Sequence, residues 1–464
     1  MRNVVLCCLD SVRADTFAEY APELVARAEL SYTQCRAASS WSAPSYASMV
    51  TGQLASEHGV CSHDKSLEGV DRAETVFGDL DGHRALGVST NVFAGSPFGF
   101  DRFFDSFVDV SETRRYAAGL DPTAFGSQYD SPARAGIAFL RAALRADATT
   151  KSLVNGALGF AQVASEGLPI PTLLDDGARP VVREARSLVD ASPEPFVLFS
   201  SVMEAHTPLR HIRGFDRSLH DASNRFTTDR HSVWELLEAP EAYPAFLETR
   251  RGLYDASVDY LDRTLAPFVD WLVEETVHET TVVITADHGE NQGYPYEEGH
   301  MRHKSSLSES LLHVPLVVVN PPEGYSERVT DYVSHLELPT LLAAFAREEV
   351  VDVTREQVVA EHVGMSAGPD PPDRKRYWDR LMRAAYADER KVVWDSLGDH
   401  GWYDLDHARP CWQEPLETTE PVPKWARQRF SEDAHVAKRR LRRAGSADDV
   451  GAGVQERLEK LGYA

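Results

Sequence analysis

Short runs of apolar residues recur along the chain, and each of them stops abruptly at polar or charged residues. Val4–Leu9, Phe196–Phe199 and Val282–Thr285 are uninterrupted apolar stretches, as expected of strands buried on both faces of a parallel sheet. Arg251–Glu275 instead repeats its apolar residues at helical spacing, which predicts an amphipathic helix packed on that sheet. The pattern predicts an α/β fold with a central, mostly parallel sheet flanked by helices.

Residues 110–190 interrupt this regular pattern. Ser131–Arg145 is rich in Ala, Leu and Arg and predicts a helix, whereas Gly167–Pro180 is rich in Pro, Gly and Asp and predicts a loop. Long irregular connections in compact domains are often functional. We therefore interpret residues 110–190 as a lid-like insertion over a site.

The character of the chain changes again after about Glu348. Three strand patterns surround a helix-like stretch at Trp378–Ala387; they are Val358–Val363, Lys391–Asp395 and Gly401–Leu405. The chain is expected to form a main domain (1–348), a small α+β subdomain (349–420) and a charged helical tail (421–464). The basic run Lys438–Arg443 in the tail predicts the solvated face of a helix.

Carboxylates follow two of the predicted central strands directly. Asp10 ends the first apolar run, and Asp287 and His288 come just after Val282–Thr285. Ligands bind at the carboxyl ends of strands in open α/β sheets, so these side chains converge if the two strands are neighbours. Carboxylates and imidazole suit a divalent cation. The alternatives are a helix N-cap for Asp10 and an ordinary polar loop with a capping Asp287.

Ser42 lies in a serine-rich approach to a predicted helix, with Pro44 in its first turn. The amino end of a helix favours an oxyanion or a phosphate-like group. A hydroxyl at that position beside a divalent cation can lose its proton and act as a nucleophile. The alternative is that Ser42 only caps the helix.

Further polar residues cluster near the predicted strand ends. His206 follows the strand at Phe196–Phe199, and His300, His303 and Lys304 lie in a polar, glycine-containing segment before the next strand. A structural role for a loop histidine such as His206 is the alternative. Arg13, three residues after Asp10, is a further candidate for contact with a substrate.

Three segments together resemble the sulfatase family of the alkaline phosphatase superfamily. They are LDSVRADTF from Leu9, SAPSYASMVTG from Ser42, and TADHGE through HKSSLSESLLHVPLVV from Thr285. The resemblance implies an alkaline phosphatase-like fold and one divalent metal ion held by Asp10, Asp287 and His288, with Ca²⁺, Mg²⁺ or Mn²⁺ expected and Zn²⁺ as a further candidate.

The resemblance also implies roles for the remaining candidates. Ser42 would be the nucleophile, and Lys304 would contact the substrate and neutralise charge that develops on it. His206 or His303 would serve the leaving group, and His300, like Arg13, would line the substrate site.

Two departures from the family pattern bear on the chemistry. Asp10 is followed by Ser11, where many sulfatases have a second Asp. Tyr46 replaces the Arg of the signature that directs conversion of the nucleophile to formylglycine. We therefore expect an unmodified Ser42, which brings enzymes acting on phosphodiesters or phosphoglycerol groups closer as relatives.

The net charge of the chain limits the classes of molecule that it can bind. The 464-residue chain has 72 acidic against 48 basic residues and a formal net charge of −24, which opposes general binding to nucleic acids or anionic membranes. Such acidity suits a protein kept soluble at high salt, although an ordinary acidic enzyme is the alternative. The five scattered cysteines form no metal or disulfide pattern. With no export signal and no membrane span recognised, a cytoplasmic location is expected.

These observations predict a metal-dependent hydrolase of sulfate esters. One alternative is a phosphodiesterase or phosphoglycerol-transferase-like enzyme, and another is an inactive member that binds anionic ligands. The expected substrate is a small anionic ester, a sulfated or phosphorylated glycan, or a lipid headgroup. A dinucleotide-binding enzyme is disfavoured because no GxGxxG follows the first strand. The oligomeric state stays open.

Overall fold

The computed structural model describes residues 1–111, 114–126, 128, 129, 131–165, 168–365, 371, 373–445, 454, 455 and 458. A sheet of eight strands forms the centre of the main domain. Across the sheet the order is β10 (Arg328–Ser334), β2 (Leu30–Arg36), β9 (Leu316–Val319), β6 (Thr280–Thr285), β1 (Asn3–Leu9), β5 (Phe196–Val202), β3 (Arg84–Ser89) and β4 (Ser106–Asp109).

The pairing of these strands confirms the predicted architecture. Only β9 runs antiparallel to its neighbours β2 and β6, and the other adjacent pairs are parallel. All residues of β1, β5 and β6 are buried, which explains why their sequences are continuous apolar runs instead of alternating ones. The first strand and the strand that precedes Asp287 are neighbours, as the metal-site hypothesis required.

Helices flank the sheet in two groups. The long helix α11 packs with α1, α2 and α9, while α13 packs with α3 and α5. None of the helices within the described ranges combines the length and hydropathy that a bilayer span needs. In chain order the helices of the main domain are α1 (Ala14–Tyr20), α2 (Pro22–Arg27), α3 (Ser42–Thr51), α4 (Ala55–His58), α5 (Val76–Asp79), α6 (Thr123–Gly126), α7 (Pro132–Ala143), α8 (Thr149–Ser165), α9 (Ala178–Asp190), α10 (Val233–Glu238), α11 (Pro244–Glu274), α12 (Glu309–Leu312) and α13 (Leu338–Arg347).

The segment 110–190 contains elements of two kinds. The helices α7 and α8 pack on each other as a hairpin, in agreement with the helix predicted at Ser131–Arg145. The last helix of the segment, α9, lies against β3 and β5 and so belongs to the layer that covers the sheet. A lid function for the segment stays a prediction.

A second sheet follows the main domain. It is antiparallel and contains, in order, β11 (Gln357–Val363), β12 (Leu381–Ala387), β13 (Arg390–Asp395), β14 (His400–Leu405) and β15 (Gln413–Leu416), with the short helix α14 (Lys375–Trp378) before β12. A two-stranded ribbon, β7 (Asn291–Gln292) and β8 (Met301–Arg302), lies in the loop after β6.

One predicted element of the second sheet is wrong. The helix expected over Trp378–Ala387 is a strand from Leu381 onward. The sequence LMRAAYA has good helix formers, but its backbone pairs with β11 on one side and β13 on the other, and six of its seven residues are buried. Tertiary pairing therefore overrides local helix propensity.

The C-terminal region adds two helices, α15 (Lys424–Gln428) and α16 (Ala434–Ala444). The basic run Lys438–Arg443 lies on α16, which packs against β12 through Ala437 and Leu441. Most of the predicted tail beyond Gly445 lies outside the described residues.

Glu309 is a buried carboxylate that joins the two sheets. Its Oε2 lies 2.9 Å from Nη2 of Arg36, at the end of β2. Its Oε1 lies 3.0 Å from Nζ of Lys391 on β13 and accepts a 2.7 Å hydrogen bond from the hydroxyl of Tyr386 on β12. Although burial acts to raise it, the cations Arg36 and Lys391 lower the pKa of Glu309 to about 2.

Removing this carboxylate should destabilise the protein strongly. Glu309→Ala leaves Arg36 and Lys391 buried without their shared counter-charge, so we expect a loss of about 3–5 kcal/mol in the free energy of unfolding. Asp406→Ala, at the exposed pair Asp406–Arg409, is the control and should cost about 0–1 kcal/mol. Urea unfolding followed by circular dichroism measures both.

The difference in stability between wild type and Glu309→Ala should depend on pH. The folded-state pKa of Glu309 lies below its ordinary value of 4.5, so the stabilisation is complete above about pH 4.5 and is lost as the pH falls towards 2. The difference between wild type and Glu309→Ala should shrink in that window. Equal stability of the two proteins at neutral pH would contradict this account of the interface.

Candidate active site

Asp10, Asp287 and His288 meet at one edge of the central sheet. Asp10 directly follows β1, and Asp287 and His288 follow β6, whose residue Thr285 pairs in parallel register with Cys8 of β1. One ligand atom from each of the three lies within 4.8 Å of the others, and all three residues are fully buried. The structure thus brings together the three residues predicted as metal ligands.

Ser42 lies beside this cluster. Its Oγ is 3.5 Å from Oδ2 of Asp10 and 3.3 Å from Nε2 of His288. The helix α3 begins at Ser42, and the capping position is occupied by Trp41, without a side-chain cap. The capping role weighed for Ser42 is therefore absent, and its hydroxyl faces the carboxylates from the amino end of a ten-residue helix.

The cluster holds the carboxylates of Asp10 and Asp287 close together with no surface exposed to solvent. Burial, together with the carboxylate of Asp10, raises the pKa of Asp287 to about 7. Burial alone would lower the pKa of His288, but the neighbouring Asp287 and Asp10 outweigh it, and the pKa is raised.

The donor atoms fit a cation. Oδ2 of Asp287 is fully buried and makes no hydrogen bond to any described residue, although Nε2 of His288 lies 3.4 Å away. A buried carboxylate oxygen without a donor is costly unless a positive charge faces it. Two carboxylates and an imidazole are a suitable ligand set for a divalent ion.

Backbone groups fix the orientation of these ligands. Oδ1 of Asp287 accepts hydrogen bonds from the backbone N–H of Ser11, at 3.1 Å, and of His288, at 2.9 Å. Nδ1 of His288 donates to the carbonyl of Gly289 at 2.7 Å. Because a carbonyl only accepts, Nδ1 carries a proton, and Nε2 is the ring nitrogen that faces the cluster.

Asn91 and Ser11 complete the cluster and were missed in the sequence. The Nδ2 of Asn91 donates to Oδ2 of Asp10, while its Oδ1 accepts from the backbone N–H of Phe93 at 2.7 Å. The hydroxyl of Ser11 donates to Oδ1 of Asp10 at 2.7 Å. Asn91 follows β3, so the same strand-end argument that identified Asp10 could have found it.

His206 and His303 form a second layer around the cluster. The ring centroid of His303 lies 5.0 Å from that of His288 and 5.4 Å from that of His206. Burial lowers the pKa of His206, and burial with the nearby cationic groups lowers that of His303 further, so both rings are neutral at pH 7. Oε1 of Glu290 lies 2.6 Å from Nη2 of Arg250 in an ion pair. Its Oε2 lies 3.3 Å from Nδ1 of His303.

Lys304 is a buried ammonium next to His303 in the chain, with 2% of its surface exposed. Burial, reinforced by the positive charge of Arg302, lowers its pKa to about 7, and Glu290 opposes the shift. The charge of Lys304 therefore titrates near neutrality.

Arg13 and His300 have surroundings of another kind. The guanidinium of Arg13 is buried and donates to Asp15 and, at 2.7 Å, to Glu297, so its donors are committed to the protein. His300 lies against Trp378 of α14, with ring centroids 6.3 Å apart, and lines a cavity of about 260 Å³ beside the second sheet. The structure thus places both residues in contacts that do not involve the carboxylate cluster.

The family model for sulfatases, described simply as Sulfatase, matches residues 2–346.

The chain belongs to the sulfatase family.

This confirms the resemblance seen in the three sequence segments, and membership of the family supports the expectation of an ester hydrolase. An uncharacterized sulfatase of Escherichia coli (strain K12), YidJ, is 24% identical over 186 residues, which span 36% of this chain and 35% of the relative.

Solved structures share the fold of this sulfatase-family chain. The phosphonate monoester hydrolase of Agrobacterium radiobacter superposes with a TM-score of 0.58 at 15% identity, covering 87% of this chain and 89% of that one. A structure solved with its substrate D-glucosamine-2-N,6-O-disulfate gives a TM-score of 0.53 at 12% identity, covering 87% and 91%. These likenesses confirm the predicted α/β fold, which is also shared by a protein in the alkaline phosphatase superfamily from Vibrio parahaemolyticus, with a TM-score of 0.51 at 13% identity over 96% of this chain and 88% of that one.

Tyr46 occupies the position where the sulfatase signature has Arg. Its ring packs edge-on against Phe199 and near Phe100, and its hydroxyl lies 2.8 Å from Oγ of Ser201. The side chain is fully buried in this aromatic surrounding. The position has thus become part of the core one turn along α3 from Ser42.

Removing one carboxylate should stabilise the metal-free protein. Asp287→Asn keeps the acceptor for the two backbone N–H groups but relieves repulsion with Asp10, so we expect a higher melting temperature in EDTA. Asp15→Asn, which weakens the pair with Arg13, is the control and should lower it. Differential scanning fluorimetry measures both. A lower melting temperature for Asp287→Asn would show that the two carboxylates do not strain the site.

Proposed function

We propose that this sulfatase-family protein hydrolyses sulfate esters, with Ser42 as the nucleophile and a divalent cation held by Asp10, Asp287 and His288. The observation that carries the proposal is the position of the Ser42 hydroxyl, which lies within 3.5 Å of two of the ligands. A cation bound there would polarise the ester oxygens and lower the pKa of the Ser42 hydroxyl. The carboxylates suit Ca²⁺, Mg²⁺ or Mn²⁺, and His288 adds Zn²⁺ to the candidates.

The residues around the cluster account for the remaining steps. Oγ of Ser42 bonds to the sulfur as the bond from sulfur to the leaving oxygen breaks, and water later releases sulfate from the serine. Lys304, when charged, neutralises the oxygens of the transferring group. His206 and His303 are neutral imidazoles, placed to hydrogen-bond the leaving oxygen and to assist its protonation.

Phosphate or phosphonate esters are the second candidate substrate class. Tyr46 is a core residue in place of the signature Arg, which favours an unmodified serine as the nucleophile. The structural neighbours include both a phosphonate monoester hydrolase and a protein solved with a disulfated sugar. Within either class, we propose a small ester, a modified glycan or a lipid headgroup as the substrate.

We also propose the salt conditions and the cellular compartment in which the protein works. The net charge of −24 favours function at high salt, where screening weakens self-repulsion. The five cysteines are all buried and unpaired, which suits the reducing cytoplasm.

Replacing Ser42 should abolish turnover. We expect Ser42→Ala to lower kcat by about 10³ or more on the ester class that the protein cleaves. Release of nitrophenol from aryl sulfate, aryl phosphate and bis-aryl phosphate esters, with each candidate cation, measures it. Ser48→Ala is the matched control, since this buried hydroxyl lies on the same helix and contacts His58 at 3.2 Å.

Each result of this assay has a defined meaning. Cleavage of sulfate esters alone supports a sulfatase, and cleavage confined to phosphate esters supports the second candidate. Full activity of Ser42→Ala would overturn the nucleophile, and no turnover with any cation would support an inactive binding protein. The mass of the Ser42 peptide should match unmodified serine, without the loss of two hydrogens that formylglycine requires.

The pH dependence of catalysis should follow Lys304. Its charge is present below pH 7 and is lost as the pH rises through about 7, so kcat/KM for an anionic ester should fall across that range. Lys304→Arg keeps the charge to higher pH and should remove this decline. A decline of the same midpoint in Lys304→Arg would assign it to another group.

A further inference from the structure

The outside of the helical hairpin α7–α8 carries apolar side chains. Eight of the thirteen large apolar residues that are exposed in the described part of the chain lie between residues 129 and 170: Tyr129, Ile137, Leu140, Leu144, Phe160, Val163, Leu168 and Ile170. Scattered exposed apolar residues are ordinary, but such a concentration marks an interaction surface.

The apolar side chains of α7 form two separate faces. Ile137 and Leu140 of α7, and Leu144 directly after it, follow helical spacing and are 53%, 49% and 61% exposed. The inward face uses other residues, because Phe139 is buried and its ring lies over Gly156 of α8. The outer stripe is therefore additional to the packing that holds the hairpin together.

The second helix repeats this arrangement. Phe160 and Val163 of α8 are 77% and 64% exposed. Five residues before Phe160 on the same helix, Asn155 exchanges hydrogen bonds with the backbone of Tyr116 and donates to the carbonyl of Leu120. The hairpin is thus anchored to the chain at its base while its outer apolar side chains face solvent.

The charge of the hairpin is opposite to that of the chain. Residues 131–165 contain four basic residues, Arg134, Arg141, Arg145 and Lys151, and one acidic residue, whereas the chain carries −24. All four basic side chains are exposed, and none forms an ion pair with a described residue. Arg134 and Arg141 lie on α7 beside the apolar stripe, and Arg145 follows the end of the helix.

We propose that the α7–α8 hairpin docks the protein on an anionic lipid bilayer. A helix with exposed apolar residues flanked by cations lies in the interface of such a bilayer, where apolar burial and attraction to headgroups add together. The acidic body excludes a general membrane binder, but the hairpin presents a local surface of opposite sign. The proposal does not rest on the proposed reaction.

The segment that holds the hairpin begins at the edge of the sheet that carries the candidate active site. The chain enters this segment from the carboxyl end of β4, which runs parallel to β3, β5 and β1. Asp10 follows the carboxyl end of β1, so both features emerge from the same edge of the sheet.

Co-sedimentation with lipid vesicles tests the proposal on the full chain. At about 0.15 M salt, we expect binding to vesicles of phosphatidylglycerol and phosphatidylcholine but not to phosphatidylcholine alone, and weaker binding at about 1 M salt. Arg141→Glu with Arg145→Glu, and separately Leu144→Ser with Phe160→Ser, should each lower the partition coefficient roughly tenfold or more.

Two variants at other exposed sites serve as matched controls. Val277→Ser removes a 90% exposed apolar side chain, and Arg439→Glu with Arg443→Glu reverses charges on α16; both should bind like wild type. Circular dichroism and turnover of a soluble aryl ester must match wild type in the hairpin variants.

Three outcomes would overturn the proposal. They are no binding to the anionic vesicles, binding lost in the α16 variant but kept in both hairpin variants, and a dimer in sedimentation velocity that dissociates with Leu144→Ser and Phe160→Ser while vesicles do not bind. The last outcome would assign the surface to a second copy of the chain.

Discussion

The fold places two carboxylates side by side with none of their surface exposed to solvent. Asp10 and Asp287 end adjacent parallel strands, so the register of β1 and β6 determines how close they lie. Two buried like charges repel each other and lose their hydration, and the protein alone supplies only partial compensation. Two backbone N–H groups and the side chains of Asn91 and Ser11 orient these oxygens, but they bring no full positive charge.

Buried ion pairs between glutamate and arginine hold the loop after β6 at three points. Three of its glutamates, Glu290, Glu297 and Glu309, are fully buried, and each is paired with an arginine from elsewhere in the chain: Arg250 of α11, Arg13 after β1 and Arg36 at the end of β2. Such pairs contribute little net free energy but are costly to break. They therefore fix the path of the loop that carries His288, His303 and Lys304.

The sequence predicted the features that depend on apolar periodicity. Central strands buried on both faces leave a distinctive run, and the strand-end rule then located Asp10, Asp287 and His288. The direction of a side chain is not written in the sequence, so the sequence could not show that the donors of Arg13 and the ring of His300 contact residues outside the carboxylate cluster. The strand Leu381–Ala387 was mistaken for a helix because its residues are good helix formers, and its pairing with β11 and β13 cannot be read from local composition. The outer stripe of α7 was hidden for a similar reason, since packing decides which face of a helix is covered.

The buried position of Glu309 bears on where the domain ends. The family model stops at residue 346, yet Tyr386 and Lys391, which share the charge of Glu309, lie beyond it. A fragment cut at that boundary would expose Glu309 and Arg36 on a surface built to be interior. The segment matched by the family model and the second sheet therefore share one buried charge cluster, and we expect an autonomous module to include both.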